Sequence, residues 1–188
     1  MHRRLVKIVL VTLAACALVC AAEPAAVWLD VPFVQQEKNG CGAASIAMVM
    51  QYWQRQQGQA AVSVPDAAEI QKALHSARTH GIYASEMESY LRQHGYRTFA
   101  FAGQMEDLAA HLAKGRPLIV GLEPRHGAPL HYVVVAGLHP IKRVVLLNDP
   151  AERKLLQRDF DTFEKEWRGT GHWTLLAVPS PGDEKSAL

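Results

Sequence analysis

Apolar and polar positions divide this chain of 188 residues into a helix-rich first half and a strand-rich second half. After an extended stretch over Val27–Val34, the run AASIAMVMQYW predicts a helix from Gly42 to about Trp53. This helix is apolar on nearly every side, as expected of a helix buried in a core. Capping signals, terminal glycines and β-rich runs mark the other elements. They predict helices over 66–77, 84–94, 105–114 and 162–167, and strands over 96–102, 116–123, 154–160 and 172–179.

The clearest strand signal is the stretch LHYVVVAGLHPIKRVVLLNDP. Its two β-rich runs, over 131–136 and 143–148, flank the turn sequence GLHPIK and predict a β-hairpin. Helices followed by strands favour an α+β domain with an antiparallel sheet, since a parallel sheet needs strands and helices in alternation. We therefore expect the first half to supply a central buried helix and the second half an antiparallel sheet.

The N-terminus has the pattern of a secretory signal peptide. A basic start, MHRRLVK, precedes the uncharged apolar run Ile8–Cys20, and small residues then lead to a predicted cut between Ala22 and Glu23. The apolar run is too short to form a transmembrane helix comfortably. We therefore predict a signal peptide over 1–22 and an exported protein, periplasmic or secreted, with no stable membrane span after processing.

Two alternatives for this N-terminus stay open. Leu13-Ala14-Ala15-Cys16 resembles a lipoprotein box, in which Cys16 would carry a lipid anchor, and an uncleaved membrane anchor is the other possibility. The remainder of the chain is predicted to be a single domain over 23–179, followed by a disordered tail over 180–188.

Composition removes several classes of function. The net charge is +2 and no basic face is visible, which argues against nucleic acid as a partner. No set of residues has the spacing of metal ligands, and His80, His126 and His172 are expected to be surface or loop residues. Neither a metal nor a cofactor is expected.

The cysteines are the first candidate chemistry. Signal-peptide cleavage removes Cys16 and Cys20 and leaves Cys41 as a single thiol in an oxidising compartment, where it is either reactive or paired between molecules. Lipoprotein processing at Cys16 would instead keep Cys20, which can pair with Cys41. Cys41 lies between Gly40 and Gly42 at a predicted helix start, where unpaired N–H groups stabilise a thiolate. The simpler alternative is a buried cysteine that packs as a small hydrophobe.

A histidine and an aspartate on the predicted hairpin supply the groups that a nucleophilic cysteine needs. His131 begins the apolar strand HYVVV. If the hairpin is centred near Pro140, Asp149 lies opposite His131, roughly 5 Å away at Cβ. A carboxylate in that position can orient the imidazole and stabilise its protonated form. The alternative is a surface pair at the mouth of the hairpin.

Two glutamines precede the cysteine and supply a further donor. Either Gln35 or Gln36 can place an amide N–H₂ near the backbone N–H of Cys41, and two such donors form an oxyanion site. Loop solvation is the default explanation for both glutamines.

Together these motifs resemble a known family. A Q-x5-CG motif that opens a helix, followed by HYVVV-x-G and a strand ending in NDP, is similar to the papain-like cysteine peptidases, and more narrowly to the bacteriocin-processing peptidases, the thirty-ninth family of cysteine peptidases. The resemblance covers about Val27–Pro179. It implies a papain-like fold in which Cys41 is the nucleophile, His131 the general base and then acid, and Asp149 the group that orients His131.

The resemblance also bears on the two ambiguous pairs of neighbours. The family's oxyanion glutamine stands six residues before the cysteine, which selects Gln35 over Gln36. Papain itself uses an asparagine to orient the histidine, which makes Asn148 a competitor, but the hairpin symmetry and the family's DP favour Asp149.

The predicted function is an exported cysteine peptidase that hydrolyses peptide bonds in a peptide or protein substrate. Leader-processing relatives usually precede membrane helices and an ATPase, and no P-loop pattern is visible here, so cleavage at a double-glycine leader is not expected. Cell-wall peptidases of papain-like fold usually orient the histidine with a second histidine, which makes peptidoglycan a weaker candidate. A transpeptidase or acyltransferase and a catalytically silent peptide-binding module are the alternatives.

Overall fold

The computed structural model describes residues 26–58, 64–123 and 130–181. The predicted signal peptide, with Cys16 and Cys20, and the predicted tail from residue 182 onward lie outside the described residues. In the described part of the chain, no helix reaches the length and apolar character needed to cross a membrane.

The helices and strands follow the predicted order. The helices are α1 (Cys41–Gln56), α2 (Ala67–Leu74), α3 (Ala84–Gln93), α4 (Met105–Leu112) and α5 (Phe160–Arg168). The strands are β1 (Val27–Trp28), β2 (Tyr96–Ala102), β3 (Leu118–Leu122), β4 (His131–His139), β5 (Val144–Asn148), β6 (Leu156–Asp159) and β7 (Trp173–Pro179).

The strands form one antiparallel sheet in the order β2-β7-β3-β4-β5-β6, and β1 pairs with β4 outside this path. The predicted α+β arrangement is therefore confirmed. The extended stretch predicted over Val27–Val34 pairs only at Val27 and Trp28. Beyond them, the N–H of Leu29 donates to the carbonyl of Ala136 in β4, 2.8 Å away, and the carbonyl groups of Val31 and Pro32 accept hydrogen bonds from the side chain of Asn148.

Helices cover both faces of the sheet. One apolar core lies between α1–α3 and the sheet, and a second lies between the opposite face and α4 and α5. Most of α1 is buried, as its apolar sequence predicts. The start of α1, where Cys41 lies, is therefore fixed against the sheet by the packing of the whole helix.

The β4–β5 hairpin does not have the predicted register. The turn is centred between Ile141 and Lys142 because His139 pairs with Val144, and a bulge lies between Val135 and Gly137. The bulge brings Asn148 opposite Val134. One residue further, Asp149 would oppose Val133, so the prediction that Asp149 lies directly opposite His131 is wrong by two residues. Such diagonal neighbours are still within reach of long side chains.

Candidate active site

Cys41 is the first residue of α1 and is half-buried. No side chain caps this helix, and its first backbone hydrogen bond runs from the N–H of Ala44 to the carbonyl of Gly40, 2.9 Å. As at any helix start, the preceding N–H groups have no partner within the helix. The thiol of Cys41 therefore lies at the positive end of a buried helix, beside backbone donors that can bind an anion.

Gly42 lets the start of α1 approach the sheet closely. A Cβ atom at this position would lie 3.3 Å from Cβ of Ile82 and 3.4 Å from Cδ2 of Tyr132. The first contact is tighter than most real Cβ contacts and the second is at the limit of ordinary van der Waals packing, so little room is left for a side chain at position 42. The absence of a side chain at Gly42 thus brings Cys41 to the strand that carries His131.

The side chains of Cys41, His131 and Asp149 lie in series. Nε2 of His131 lies 2.7 Å from Oδ1 of Asp149, and Cys41 is near enough to the same ring to stabilise its protonated form. Because Nε2 is occupied by Asp149, the contact with the thiol falls to Nδ1. The side chains of His131 and Asp149 are only 18% and 4% exposed. The structure therefore brings together the three residues predicted from the sequence.

The electrostatics of the series favour a protonated histidine beside an ionised aspartate. Burial lowers the pKa of His131, but its hydrogen bonds to Asp149 and Cys41 and the charges of these two groups outweigh burial and raise that pKa to about 9. For Asp149, burial opposes ionisation, but the hydrogen bond from His131 and the N–H of Ala151 lower the pKa below its usual value. At neutral pH His131 is thus a cation and Asp149 an anion.

The two glutamines have different surroundings. The side chain of Gln35 is exposed, whereas Gln36 lies on the wall of the groove that contains Cys41 and His131. The N–H of Gln36 donates to the carbonyl of Pro150, 2.9 Å away, and its buried Oε1 has no hydrogen-bond partner among the described residues. Of the two glutamines, Gln36 is therefore the one that lines the groove, whereas the resemblance selects Gln35. Successive side chains of an extended segment point to opposite sides, and the bond to Pro150 turns Gln36 towards the groove.

Asn148 does not orient the histidine. It is completely buried, and its Nδ2 donates to the carbonyl groups of Val31 and Pro32, 3.1 and 3.3 Å away. Its Oδ1 accepts a hydrogen bond from the N–H of Leu155, 3.0 Å away. Asn148 therefore joins the segment before Gln36 to the turn that follows β5, and the contact with His131 is left to Asp149.

The groove in front of Cys41 has a volume of about 490 Å³. The loop that enters α3 lines this groove, and in it Tyr83 is exposed and His80 has a positive φ of 51°. Leu130, which is also exposed and precedes His131, lines the groove as well. The sequence suggests the loop over 75–83 as a pocket wall, but it singles out neither Tyr83 nor Leu130 and predicts only a surface or loop position for His80.

His172 and His126 are the other two histidines predicted to be surface or loop residues. Nε2 of His172 lies 2.9 Å from Oε1 of Glu164. Both residues line a second surface pocket, and no cysteine lines it. His126 lies outside the described residues. No group of three or more metal-ligating side chains occurs in residues 26–58, 64–123 and 130–181.

Comparisons with known proteins identify the family and the fold of this chain. Residues 28–174 match the model of the Peptidase_C39 like family. A double glycine motif protease from an AMS/PCAT transporter, solved in complex with its leader peptide, is 23% identical with a TM-score of 0.62; the match covers 82% of this chain and 95% of that one. A C39-like peptidase from Bacillus anthracis is 18% identical with a TM-score of 0.60, covering 81% and 97%.

The peptidase domain of Streptococcus ComA, a bi-functional ABC transporter, is 21% identical with a TM-score of 0.60. That match covers 79% of this chain and 98% of the ComA domain. No curated protein sequence matches. At these identities the solved structures show the fold, and they confirm the predicted papain-like architecture with the cysteine on the N-terminal helix.

Proposed function

Because this chain belongs to the Peptidase_C39 like family, we propose that it is an exported cysteine peptidase that hydrolyses peptide bonds with Cys41, His131 and Asp149. The observation that carries the proposal is the hydrogen bond between His131 and Asp149, next to Cys41 at the uncapped start of a buried helix. A nucleophile, a base and an orienting carboxylate in mutual contact are the arrangement that nucleophilic catalysis requires.

The first half of the reaction forms an acyl-enzyme. The thiolate of Cys41 attacks the carbonyl carbon of the peptide, and the carbonyl electrons move to oxygen. The backbone N–H of Cys41 and the side-chain amide of Gln36 donate hydrogen bonds to this oxyanion. When the tetrahedral intermediate collapses, the C–N bond breaks and protonated His131 gives its Nδ1 proton to the leaving amine. A thioester of Cys41 remains.

The second half of the reaction restores the enzyme. His131, now neutral, takes a proton from water as the water oxygen attacks the thioester carbon. Collapse of the second tetrahedral intermediate breaks the C–S bond and releases the carboxylic acid and the Cys41 thiolate. Asp149 holds the imidazole at Nε2 throughout and stabilises its positive charge, so Nδ1 faces the sulfur in both halves.

The choice of Gln36 as oxyanion donor follows from its position. It lies on the groove wall with Cys41 and His131, while the side chain of Gln35 is exposed. One amide donor of this kind typically contributes about 10²- to 10³-fold to kcat. Replacement of Gln36, but not of Gln35, is therefore expected to slow acylation.

The substrate proposed is a peptide or protein outside the cytoplasm. A groove of about 490 Å³ in front of the thiol is open enough for an extended peptide segment. A similar fold was solved in complex with a leader peptide, which supports a peptide as the ligand class. The exported location rests on residues 1–22 alone, with a lipid anchor at Cys16 as its alternative.

The test is cleavage of a peptide library by the purified mature chain, read by mass spectrometry. We expect turnover by the wild type and none by Cys41→Ala, whose fold is verified by circular dichroism. Gln35→Ala is the matched control and should keep full activity. Turnover retained in Cys41→Ala would overturn the proposal. Products joined to an added amine would assign acyl transfer in place of hydrolysis, and peptide binding without any turnover would assign a binding module.

A further inference from the structure

Helix α5 contains a buried carboxylate that the proposed mechanism does not use. The side chain of Glu166 is only 9% exposed, and its Oε2 has no hydrogen-bond partner among the described residues. Burial raises the pKa of Glu166, as do the nearby carboxylates of Asp149, Asp159 and Glu152, while Arg158 acts in the opposite direction. A buried carboxylate is costly unless it is paired, so its partner is informative.

That partner is Arg158 on β6. Its Nη1 lies 3.1 Å from Oε1 of Glu166, and its Nη2 lies 3.8 Å from Oε1 of Glu152. A planar guanidinium has donors in a fixed fork, so one arginine can bridge two carboxylates in a defined direction. Arg158 therefore links α5 to the turn that contains Glu152.

The turn that contains Glu152 is the turn that carries Asp149. The N–H of Glu152 donates to the carbonyl of Asp149, 3.0 Å away, and the N–H of Asp149 donates to the carbonyl of Arg153, 3.2 Å away. The residue that pairs with Arg158, Glu152, is therefore itself hydrogen-bonded to the backbone of Asp149.

Glu166 is also tied to the strand next to His131. Its carbonyl accepts a hydrogen bond from the N–H of Glu123, 2.9 Å away. Glu123 directly follows Leu122, which pairs with His131 in the β3–β4 ladder. The backbone of Glu166 thus bonds to Glu123, next to the strand partner of His131. Its side chain is linked through Arg158 to the turn that carries Asp149.

We propose that Arg158, anchored by Glu166, is a positioning residue for the Cys41–His131–Asp149 series: it holds the turn of Asp149 in register with His131 and places a fixed positive charge beside that turn. The inference rests on the proposed function, because it assigns a role in the same site. The charge of Arg158 also contributes to lowering the pKa of Asp149, as expected of a cation held beside its turn.

The test is the rate of Cys41 alkylation by iodoacetamide against pH, which needs no known substrate. Arg158→Met should move the acid limb of this profile to higher pH by roughly half a unit or more, the scale of one partly screened charge. Arg158→Lys keeps the charge but loses the fork that bridges two carboxylates, so it should restore only part of the wild-type limb. The matched control is Arg143→Met, because Arg143 forms an exposed ion pair with Asp161 and lies outside the series.

Arg158→Met leaves Glu166 without its partner and can unfold the protein, so the comparison is repeated in a Glu166→Gln background. There the same upward shift is expected on adding Arg158→Met. An acid limb that stays within 0.2 units in both backgrounds (a margin of about 0.3 kcal/mol), with the wild-type plateau present, would overturn this inference alone. A wild-type rate that follows a single free-thiol titration would overturn the proposed function, and this inference with it.

Discussion

Replacement of Asp149 by Asn should lower the pKa of His131 by roughly two units. The pKa of His131 is raised from 6.5 to about 9, which corresponds to about 3 kcal/mol in favour of the protonated ring. Because burial acts against protonation, the hydrogen bonds to Asp149 and Cys41 together supply more than this amount. An asparagine keeps the size of the side chain but removes its charge. The protonated ring of His131 is then stabilised less, while burial lowers the pKa of His131 as before.

The assay is a ¹⁵N NMR titration of the histidine ring nitrogens, with His131→Gln to identify the signal among the nine histidines of the chain. In Asp149→Asn the protonated fraction of His131 at pH 7 should fall from nearly all to about half or less. Cleavage and Cys41 alkylation at pH 7 should fall in parallel. Asp161→Asn, on an exposed residue, is the control. A His131 midpoint within half a unit of the wild-type value would refute the reasoning.

The same shift predicts how stability depends on pH. The pKa of His131 is higher in the folded state, so its contribution is complete below about pH 6.5 and is lost as pH rises through about 9. The free energy of unfolding should therefore fall across this window by up to about 3 kcal/mol, less in Asp149→Asn. Urea unfolding at closely spaced pH values measures this slope. A flat profile between pH 6.5 and 9 in the wild type would contradict a raised pKa.

Four further predictions concern single residues. Gln36→Ala should lower kcat about 10²- to 10³-fold while Gln35→Ala leaves it unchanged, as measured by steady-state cleavage; equal effects would reject the assignment. Asn148→Ala removes three hydrogen bonds, two of them buried, and should destabilise the fold by about 2–4 kcal/mol in urea unfolding. Gly103→Ala should cost about 1–3 kcal/mol, because its Cβ would lie 2.7 Å from Oγ1 of Thr174; a wild-type melting temperature would contradict this clash. Because the pKa of Asp149 is lowered, its stabilisation should be lost as pH falls below its unfolded value near 4, and Asp149→Asn should flatten the acid branch of the stability profile.

The sequence predicts which side chains meet at this site more reliably than it predicts how they meet. Cys41 is recognisable because a lone cysteine between glycines at a helix start has few other uses, and His131 because a polar ring opens an apolar strand. Asp149 was selected from a hairpin centred at Pro140, whereas the turn lies further along and a bulge follows it. The contact survives this error because Asp149 lies just past the end of β5, where a diagonal neighbour still reaches His131.

The glutamine and the groove walls required long-range information. Spacing alone cannot tell which side of an extended segment faces the thiol, and Gln36 is turned inward by a bond to Pro150, far away in the chain. Tyr83 and Leu130 face the groove because the loop before α3 and the start of β4 meet there in the folded chain. Neither residue carries a local signal of function, since exposed apolar side chains are common on protein surfaces.

The contacts around Asn148 imply that the oxyanion donor and the orienting carboxylate are positioned together. Asn148 donates hydrogen bonds to the carbonyl groups of Val31 and Pro32, and the N–H of Gln36 donates to the carbonyl of Pro150. The segment over 31–36 is therefore hydrogen-bonded at both ends to the residues on either side of Asp149. A displacement of that turn would therefore move Gln36 and Asp149 at once and leave Cys41 in place, because α1 is fixed by its own buried face. Asn148 variants that still fold should consequently lose both the oxyanion contribution to kcat and the raised pKa of His131. Loss of only one of these two effects would show that Gln36 and Asp149 are positioned independently.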